Sequence, residues 1–506
     1  MPKTESAGKL FHVEQLWNKF KNTVKKTPDL VIFALLLFSL PFGSRTFIAT
    51  IVPYSPDLIN EWTSIFIYAS DVLILLLVIF WLRRHAHNSS KVVRFVRPFA
   101  IAFIAFVTVG LAATILSPYT EVGIYGILKY AEYGIVFVYA LVNIITHKRR
   151  IGVGLVLFTT GSIQAIIAIC QFIGQKSVGL AVLGESVLST DIDNVAEVAT
   201  GGEKILRVYG TLPHPNVLGY ILIMSMFLGL YLFAKMKSPC MRITLAFLAG
   251  LQLLAFILTF SRSAWLAMGI GIVVILVLYI PRKIAMTGTL MGVRRKKAKY
   301  NNRLGLTAGI IVFLVMAIIS VVTVLPIIQD RIVIPSDGAG IELGHREFLN
   351  GRAIALILEK PVLGWGVRSF VPLLAESEVI KKQSWMLQPI HNAYLGLWVE
   401  VGLFGLLAFM AIIILRFRSI LIGSRGANVP RGTISNGSQN SVAERVPKIQ
   451  KKKNVPRGTF LAKHSDILFS SIIIGGIVSG LVVMIFDHYI LDVHQGALMF
   501  WVFLGL

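Results

Sequence analysis

Long apolar runs dominate this chain: about twelve stretches of roughly 20 mostly apolar residues recur along it, the length a helix needs to cross a hydrocarbon layer about 30 Å thick. They fall at about 30–50, 62–82, 98–117, 121–146, 151–174, 216–234, 241–260, 264–280, 304–326, 393–415, 467–486 and 491–506. Only 15% of the 506 residues are charged, against about a quarter in soluble proteins. The expected fold is therefore an all-α polytopic membrane protein. Its last run is short, as a tilted or partly inserted helix would be.

The net charge of +24 would point to nucleic acid in a soluble protein, so its distribution decides its meaning. With the N-terminus inside, the segments 1–28, 83–97, 147–150, 235–242, 282–303 and 416–466 all face the cytoplasm and hold 36 of the 49 Lys and Arg. Acidic residues lean the other way, with five in 185–203 and seven in 330–378. This is the positive-inside pattern, and it places both termini in the cytoplasm. Basic residues border the spans without aromatic interleaving, so no nucleic-acid partner is expected. Two cysteines, Cys170 and Cys240, supply no disulfide framework.

Residues 1–28 lack a secretory h-region. Leu10, Val13, Leu16, Trp17, Phe20 and Val24 repeat at helical spacing among lysines, the pattern of an amphipathic helix on the inner leaflet. The expected organisation is this segment, a transmembrane core over 29–415 with outer loops 175–215 and 327–392, a basic cytoplasmic linker over 416–466, and a transmembrane hairpin over 467–506. Both outer loops are long enough to imply a task. The linker is rich in small, polar and basic residues and repeats Asn-Val-Pro-Arg-Gly-Thr at 428–433 and 454–459; low-complexity sequence of this kind is assigned no chemistry.

Four constellations could carry chemistry. Arg207-Val-Tyr-Gly-Thr-Leu-Pro-His-Pro-Asn216 would hold Arg207, His214 and Asn216 at the membrane surface, because Pro213 and Pro215 fix an extended turn. A rigid loop-to-helix junction with Asn216 as N-cap produces the same pattern. Thr259-Phe-Ser-Arg-Ser-Ala264 joins two spans almost without a loop; Arg262, flanked by Ser261 and Ser263 at a helix start, could meet phosphate oxygens or simply snorkel. Gly344-His-Arg-Glu347 leads to Gly364-Trp-Gly-Val-Arg368. A helix over 345–360 would carry Phe348, Leu349, Ile354, Ile357 and Leu358 on one broad side, with Arg346, Asn350 and Arg352 polar, able to clamp a lipid diphosphate or bind anionic head groups. Finally, His391-Asn-Ala-Tyr begins a span that continues to Glu400-Val-Gly-Leu-Phe-Gly405. Histidine suits proton transfer near neutral pH, although a single interfacial histidine is often structural. Glu400 is half a turn round an ideal helix from His391 and so would not orient it.

Asp71 and the pair Lys129 and Glu132 lie inside spans, as an ion relay or a self-satisfying pair. Asp191-Ile-Asp193 has the form of a metal-chelating triplet, a form that exposed acidic loops also produce. No Walker loop, four-ligand zinc pattern or nucleophile elbow occurs, and no repeat of 20–50 residues is visible.

The order of these motifs resembles the O-antigen ligase and polymerase superfamily, the Wzy_C or WaaL-like family, from about Arg207 to Gly405. The resemblance implies about twelve helices in a GT-C-like integral membrane glycosyltransferase, with a large extracytoplasmic loop between spans 9 and 10. It implies transfer of a glycan from undecaprenyl diphosphate to an acceptor hydroxyl, on the outer face of the cytoplasmic membrane. His391 matches the family's base, Arg262 and Arg346 its diphosphate-binding arginines, and Arg207 with Asn216 a further signature; Ser261 and Asn392 join them as expected substrate contacts. Expected partners are the lipid-linked donor, a lipid, glycan or protein acceptor, and membrane lipids.

Physical chemistry leads the same way. A diphosphate is a good leaving group, so arginines can neutralise its charge without metal or other cofactor, while a histidine deprotonates the acceptor as it attacks from the opposite side, with inversion. Ligase and polymerase remain alternatives within that chemistry. A secondary transporter using Asp71, Lys129 and Glu132 is an alternative of another class, disfavoured because the distinctive polar residues cluster at outer ends and loops. A pure scaffold explains neither the Ser-Arg turn nor the His-Asn helix start.

Overall fold

The computed structural model describes residues 26–51, 61–84, 90–192, 195–200, 203–289, 300–333, 337–376, 387–425 and 466–506. Residues 1–25 of the expected amphipathic segment and 426–465 of the expected linker, including both copies of the hexapeptide, lie outside the described residues. In chain order the helices are α1 (Pro28–Ser39), α2 (Ala69–Arg84), α3 (Ser90–Ile115), α4 (Thr120–Asn143), α5 (His147–Gly174), α6 (Pro215–Lys235), α7 (Pro239–Leu258), α8 (Arg262–Thr289), α9 (Tyr300–Val333), α10 (Asp337–Glu359), α11 (Phe370–Ala375), α12 (Ala393–Arg425), α13 (Ile467–Phe486) and α14 (His494–Gly505). Two antiparallel hairpins accompany them: β1 (Arg45–Thr50) with β2 (Ser64–Tyr68), and β3 (Glu197–Thr200) with β4 (Glu203–Leu206).

This is an all-α polytopic membrane architecture. Eight helices among the described residues, α3 to α8, α12 and α13, are long and apolar enough to span a bilayer. The other four expected runs differ in kind. The run at 30–50 divides into α1, ending at Leu40 before Pro41, and the strand β1; the run at 62–82 begins as β2 and continues as the 16-residue α2. Hydropathy does not separate a β-branched strand such as Thr46-Phe-Ile48-Ala-Thr50 from a helix. In α9 the described apolar part is Leu306–Val322. The run at 491–506 contains α14, whose 12 residues reach only about 18 Å.

The core centres on α6, of whose most apolar stretch 83% is buried, against 22% for α8 at the periphery. Small residues permit the close approach that drives helix association in lipid: a Cβ on Gly161 of α5 would meet Ser225 Oγ of α6 at 2.2 Å. Every residue of α14 is buried, against α4, α6 and α13. Arg416 of α12 donates from Nε to the Leu504 carbonyl at 2.7 Å, satisfying a carbonyl that a helix C-terminus leaves open.

Basic residues gather at one end. Arg84 pairs with Asp29 at 2.5 Å, and Lys235 with Asp466 at 2.7 Å. At the opposite end lie both hairpins, the 175–214 segment, the starts of α6, α8 and α12, and the connection from α13 to α14.

Candidate active site

The connection from α13 to α14 is short, Asp487 to Val493, and with the first residue of α14 it places two carboxylates and two imidazoles at the non-basic end: Asp487, Asp492, His488 and His494. Asp487 follows α13 directly and is 1% exposed. It accepts a hydrogen bond at its Oδ2 from Asn216 Nδ2 at 2.5 Å, and its Oδ1 faces His391 Nδ1 at 3.6 Å. Asn216 in turn accepts from Arg207 Nη2 at 2.7 Å, and Arg207 Nε donates to the Thr259 carbonyl at 2.8 Å. A continuous polar path thus runs from Arg207 through Asn216 and Asp487 to His391, tying together the starts of α6 and α12 and the end of α13.

The junction at 207–216 builds its end of that path. His214 is the N-cap of α6, its Nδ1 accepting from the Asn216 backbone N–H at 3.1 Å, with Pro215 at the first helical position where its missing N–H costs nothing. Burial, then the charge of Arg207, pulls the His214 imidazole well below its ordinary range, so it caps as a neutral ring. This frees the Asn216 side chain for Arg207 and Asp487, which an N-cap role would not.

Asp487 stays ionised against its burial. Desolvation pushes its carboxyl up, but the neighbouring His391 imidazole, followed by the charges of His488 and His214, outweighs this and leaves it below the usual carboxylate range. Burial pulls the His488 ring down, yet the Asp492 carboxylate on its Nδ1, at 2.7 and 2.8 Å, raises it overall, with Asp487 adding to the effect. The rings of His391 and His488 are 5.3 Å apart, and His345 lies 6.3 Å from His391. His391, Asp487 and His488 bring one donor atom each within 4.8 Å of one another. Among the described residues they form a group able to hold a metal ion.

The other expected site residues are placed as follows. Arg346, in α10, follows His345, whose ring lies 6.3 Å from that of His391, and its charge acts on His488. Ser261 is buried at the start of α8, where its Oγ accepts from the Ala264 N–H at 3.4 Å, after Phe260 at φ 46°. Arg262 is the exposed first residue of α8 and makes no hydrogen bond or ion pair with another described residue. Asn392 caps α12, its Oδ1 accepting from the N–H groups of Tyr394 and Leu395 at 3.0 and 3.1 Å. Asp191 is exposed and bonded locally to Ser189; Asp193 lies outside the described residues. In α10, Leu349, Ala353, Leu356 and Ile357 are buried while Ile354 and Leu358 are exposed, so the expected broad apolar side is divided between protein and surroundings.

Lys129 pairs with Asp71 at 2.5 Å and Glu132 at 3.0 Å. His494 Nε2 lies 3.7 Å from Asp71 Oδ1, and the ring is held by Ser70 at 2.6 Å and Tyr133 at 3.1 Å. Both carboxylates share the Lys129 ammonium, as in a structural network, while Asp71 Oδ1 is buried without a hydrogen-bond partner.

A cavity of about 620 Å³ adjoins the cluster, with Arg45, Glu61, Trp62, Arg368, Asp492 and His494 in its wall. Arg45 is paired with Glu61, and Trp62 lies 5.9 Å from His488. Carboxylates match guanidiniums here, unlike the arginine-dominated side at Arg207 and Arg346. The cavity therefore suits a hydroxyl-rich ligand better than a diphosphate.

Asp487, His488 and Asp492 were absent from the sequence expectations. They lie between two apolar runs, in a connection too short to stand out by length. The available signal was two histidines and two aspartates within 487–494.

Comparison with known proteins bears on this geometry. Residues 245–410 match the family Wzy_C, described as O-Antigen ligase. The matched stretch runs from α7 into α12 and includes Arg262, Arg346 and His391, whereas Arg207, Asn216 and Asp487 lie outside it. No curated protein matches the chain.

Proposed function

We propose, from the match of residues 245–410 to the O-antigen ligase family and from the eight helices fit to span a bilayer, that this membrane protein is of ligase or polymerase type. We propose that it is an inverting, metal-independent glycosyltransferase. It moves a glycan from undecaprenyl diphosphate to an acceptor hydroxyl on the outer face of the cytoplasmic membrane. The observation that carries this reading is the path Arg207–Asn216–Asp487–His391.

In the reaction, the bond from the anomeric carbon to the diphosphate oxygen breaks as a bond from the acceptor oxygen forms on the opposite face. His391, its Nδ1 turned to Asp487, takes the acceptor proton at Nε2. Asp487, 3.6 Å from Nδ1, closes on it as the imidazolium forms and offsets its charge, as carboxylates do in carboxylate–histidine pairs generally. The developing diphosphate charge is met by Arg346, Arg262 and the α8 start at Ser261, with Arg207 behind them. The acceptor saccharide approaches from the cavity at Arg45 and Trp62, where its hydroxyls find matched charges and an aromatic face.

His391→Ala is expected to lower transfer by about 10²–10⁴-fold, the usual worth of a positioned base, while the protein still inserts. Lipid extracts of a deletion strain carrying the variant, run on a glycan gel, test this: normal product would sink the assignment. The deletion strain itself separates two outcomes. Long lipid-linked chains would accumulate on loss of a ligase, and single repeats on loss of a polymerase.

A further inference from the structure

We propose that His391, Asp487 and His488 form a binding site for a divalent transition metal ion, zinc(II) by the chemistry of its donors, and that occupancy switches the transferase off. His391 Nδ1 and Asp487 Oδ1 are both buried without a hydrogen-bond partner, 3.6 Å apart. A direct hydrogen bond needs about 2.7–3.2 Å. A tetrahedral zinc at its usual bond lengths separates an imidazole nitrogen from a carboxylate oxygen by about 3.4 Å. The gap is thus too wide for the one and close to right for the other. The third donor, with the set spread over at most 4.8 Å, reaches the same geometry by moving inward by roughly 1 Å.

The groups behind these donors are those a metal site requires. Asp492 holds His488 Nδ1 at 2.7 Å, which leaves the lone pair on Nε2 for a metal. Asn216 holds the other oxygen of Asp487. Such supporting contacts fix ligand orientation and are worth about 10–100-fold in affinity. Three protein donors leave the fourth position open, as in zinc sites that keep a water.

Charge alone does not set which ion enters. Arg207, through Asn216, and Arg346, whose charge acts on His488, oppose any cation, while Asp487 and Asp492 favour one. With these charges balanced, the selectivity falls to the two imidazoles, which prefer zinc, copper or nickel to magnesium or calcium. A bound ion takes the same His391 and Asp487 atoms that hold the base in position, so binding and transfer exclude each other. That last step rests on the proposed function; metal binding itself does not.

The test uses the full chain purified in detergent, with zinc affinity read by competition against a chromophoric chelator and site geometry by cobalt(II) visible absorption. The expected result is one zinc per chain and a tetrahedral cobalt spectrum, with magnesium failing to compete. Asp492→Asn should weaken binding by about 10–100-fold, and His488→Gln by more. Zinc should halt transfer, and chelator should restore it. Absence of stoichiometric binding, or affinity unchanged in both His391→Ala and His488→Gln, would overturn the site. Intact binding with undiminished transfer would overturn the switch alone. Normal transfer by His391→Ala without metal counts against the proposed base and leaves the binding result standing.

Discussion

Asp487 connects the site's parts, since one oxygen takes Asn216 and the other faces His391. Asp487→Asn keeps its shape and removes its charge, so the His391 ring loses the partner of its imidazolium form. Transfer should fall by about 10²–10⁴-fold in kcat, with KM much less affected, as when a histidine base loses its carboxylate. Initial rates against donor and acceptor concentration check this, and a purely structural role would instead lower the yield of folded protein with the specific rate intact. His391 was legible in the sequence because a histidine at the start of an apolar run is conspicuous. Asp487 was not, because a carboxylate directly after a span reads as an ordinary helix end until folding brings α6 and α12 beside it. The triplet at Asp191 shows the converse: an eye-catching pattern whose first carboxylate is exposed and bonded within its own turn.

At the scale of elements, α12 is broken where its motif residues lie. Gly402 has φ 64° and ψ −175°, and the freed N–H of Leu403 donates to the Pro361 carbonyl at 3.0 Å, while the Val399 and Glu400 carbonyls accept from Trp365 and Gly366. The spacing of Gly364-Trp-Gly366 and Glu400-Val-Gly402 was visible in the sequence. Its meaning, one backbone segment docked into a helix break, needed the structure, because irregular backbone at membrane depth must find protein partners. A Cβ on Gly402 would stand 2.1 Å from the Val362 carbonyl, whereas one on Gly269 meets nothing within 4 Å. Gly402→Ala should therefore cost more than the about 1–3 kcal/mol of its backbone conformation alone, and Gly269→Ala should be harmless; thermal denaturation in detergent compares them. The 175–214 segment has its own anchor. Glu185 accepts from the backbone N–H groups of Val178, Gly179 and Leu180 and from Gln171. Burial pushes its carboxyl up, but these bonds outweigh it and leave it below the ordinary range. A depressed folded value means that the stabilisation is complete above the unfolded pKa of about 4.3 and is lost as pH falls through the folded one. Wild-type protein should lose thermal stability on acidification across that window more steeply than Glu185→Gln.

For the molecule as a whole, membrane class and the division between basic and site-bearing ends were legible, since lipid length and charge asymmetry act on the chain independently of tertiary detail. The number of spans was less so. Apolar length alone does not say that 45–50 pairs with 64–68 in a hairpin, nor that 494–505 is a buried half-length helix. The site explains why these three runs depart from simple spans. β2 leads into α2 beside the cavity, and the short α14 leaves room for His494 and Asp492 to face it. The proposed transfer requires the site end of the bundle to lie outside, where the lipid-linked glycan is expected, and this is open to test. Val182, 88% exposed in the 175–214 segment, belongs to the site end, and Cys240, exposed at the start of α7, to the basic end. In a background with Cys170 and Cys240 replaced, Val182→Cys should react with a membrane-impermeant maleimide in intact cells. Native Cys240, with Cys170 replaced, should react only after permeabilisation. Labelling in the reverse order would place the donor site in the cytoplasm, and the proposed transfer on the outer face would fail with it.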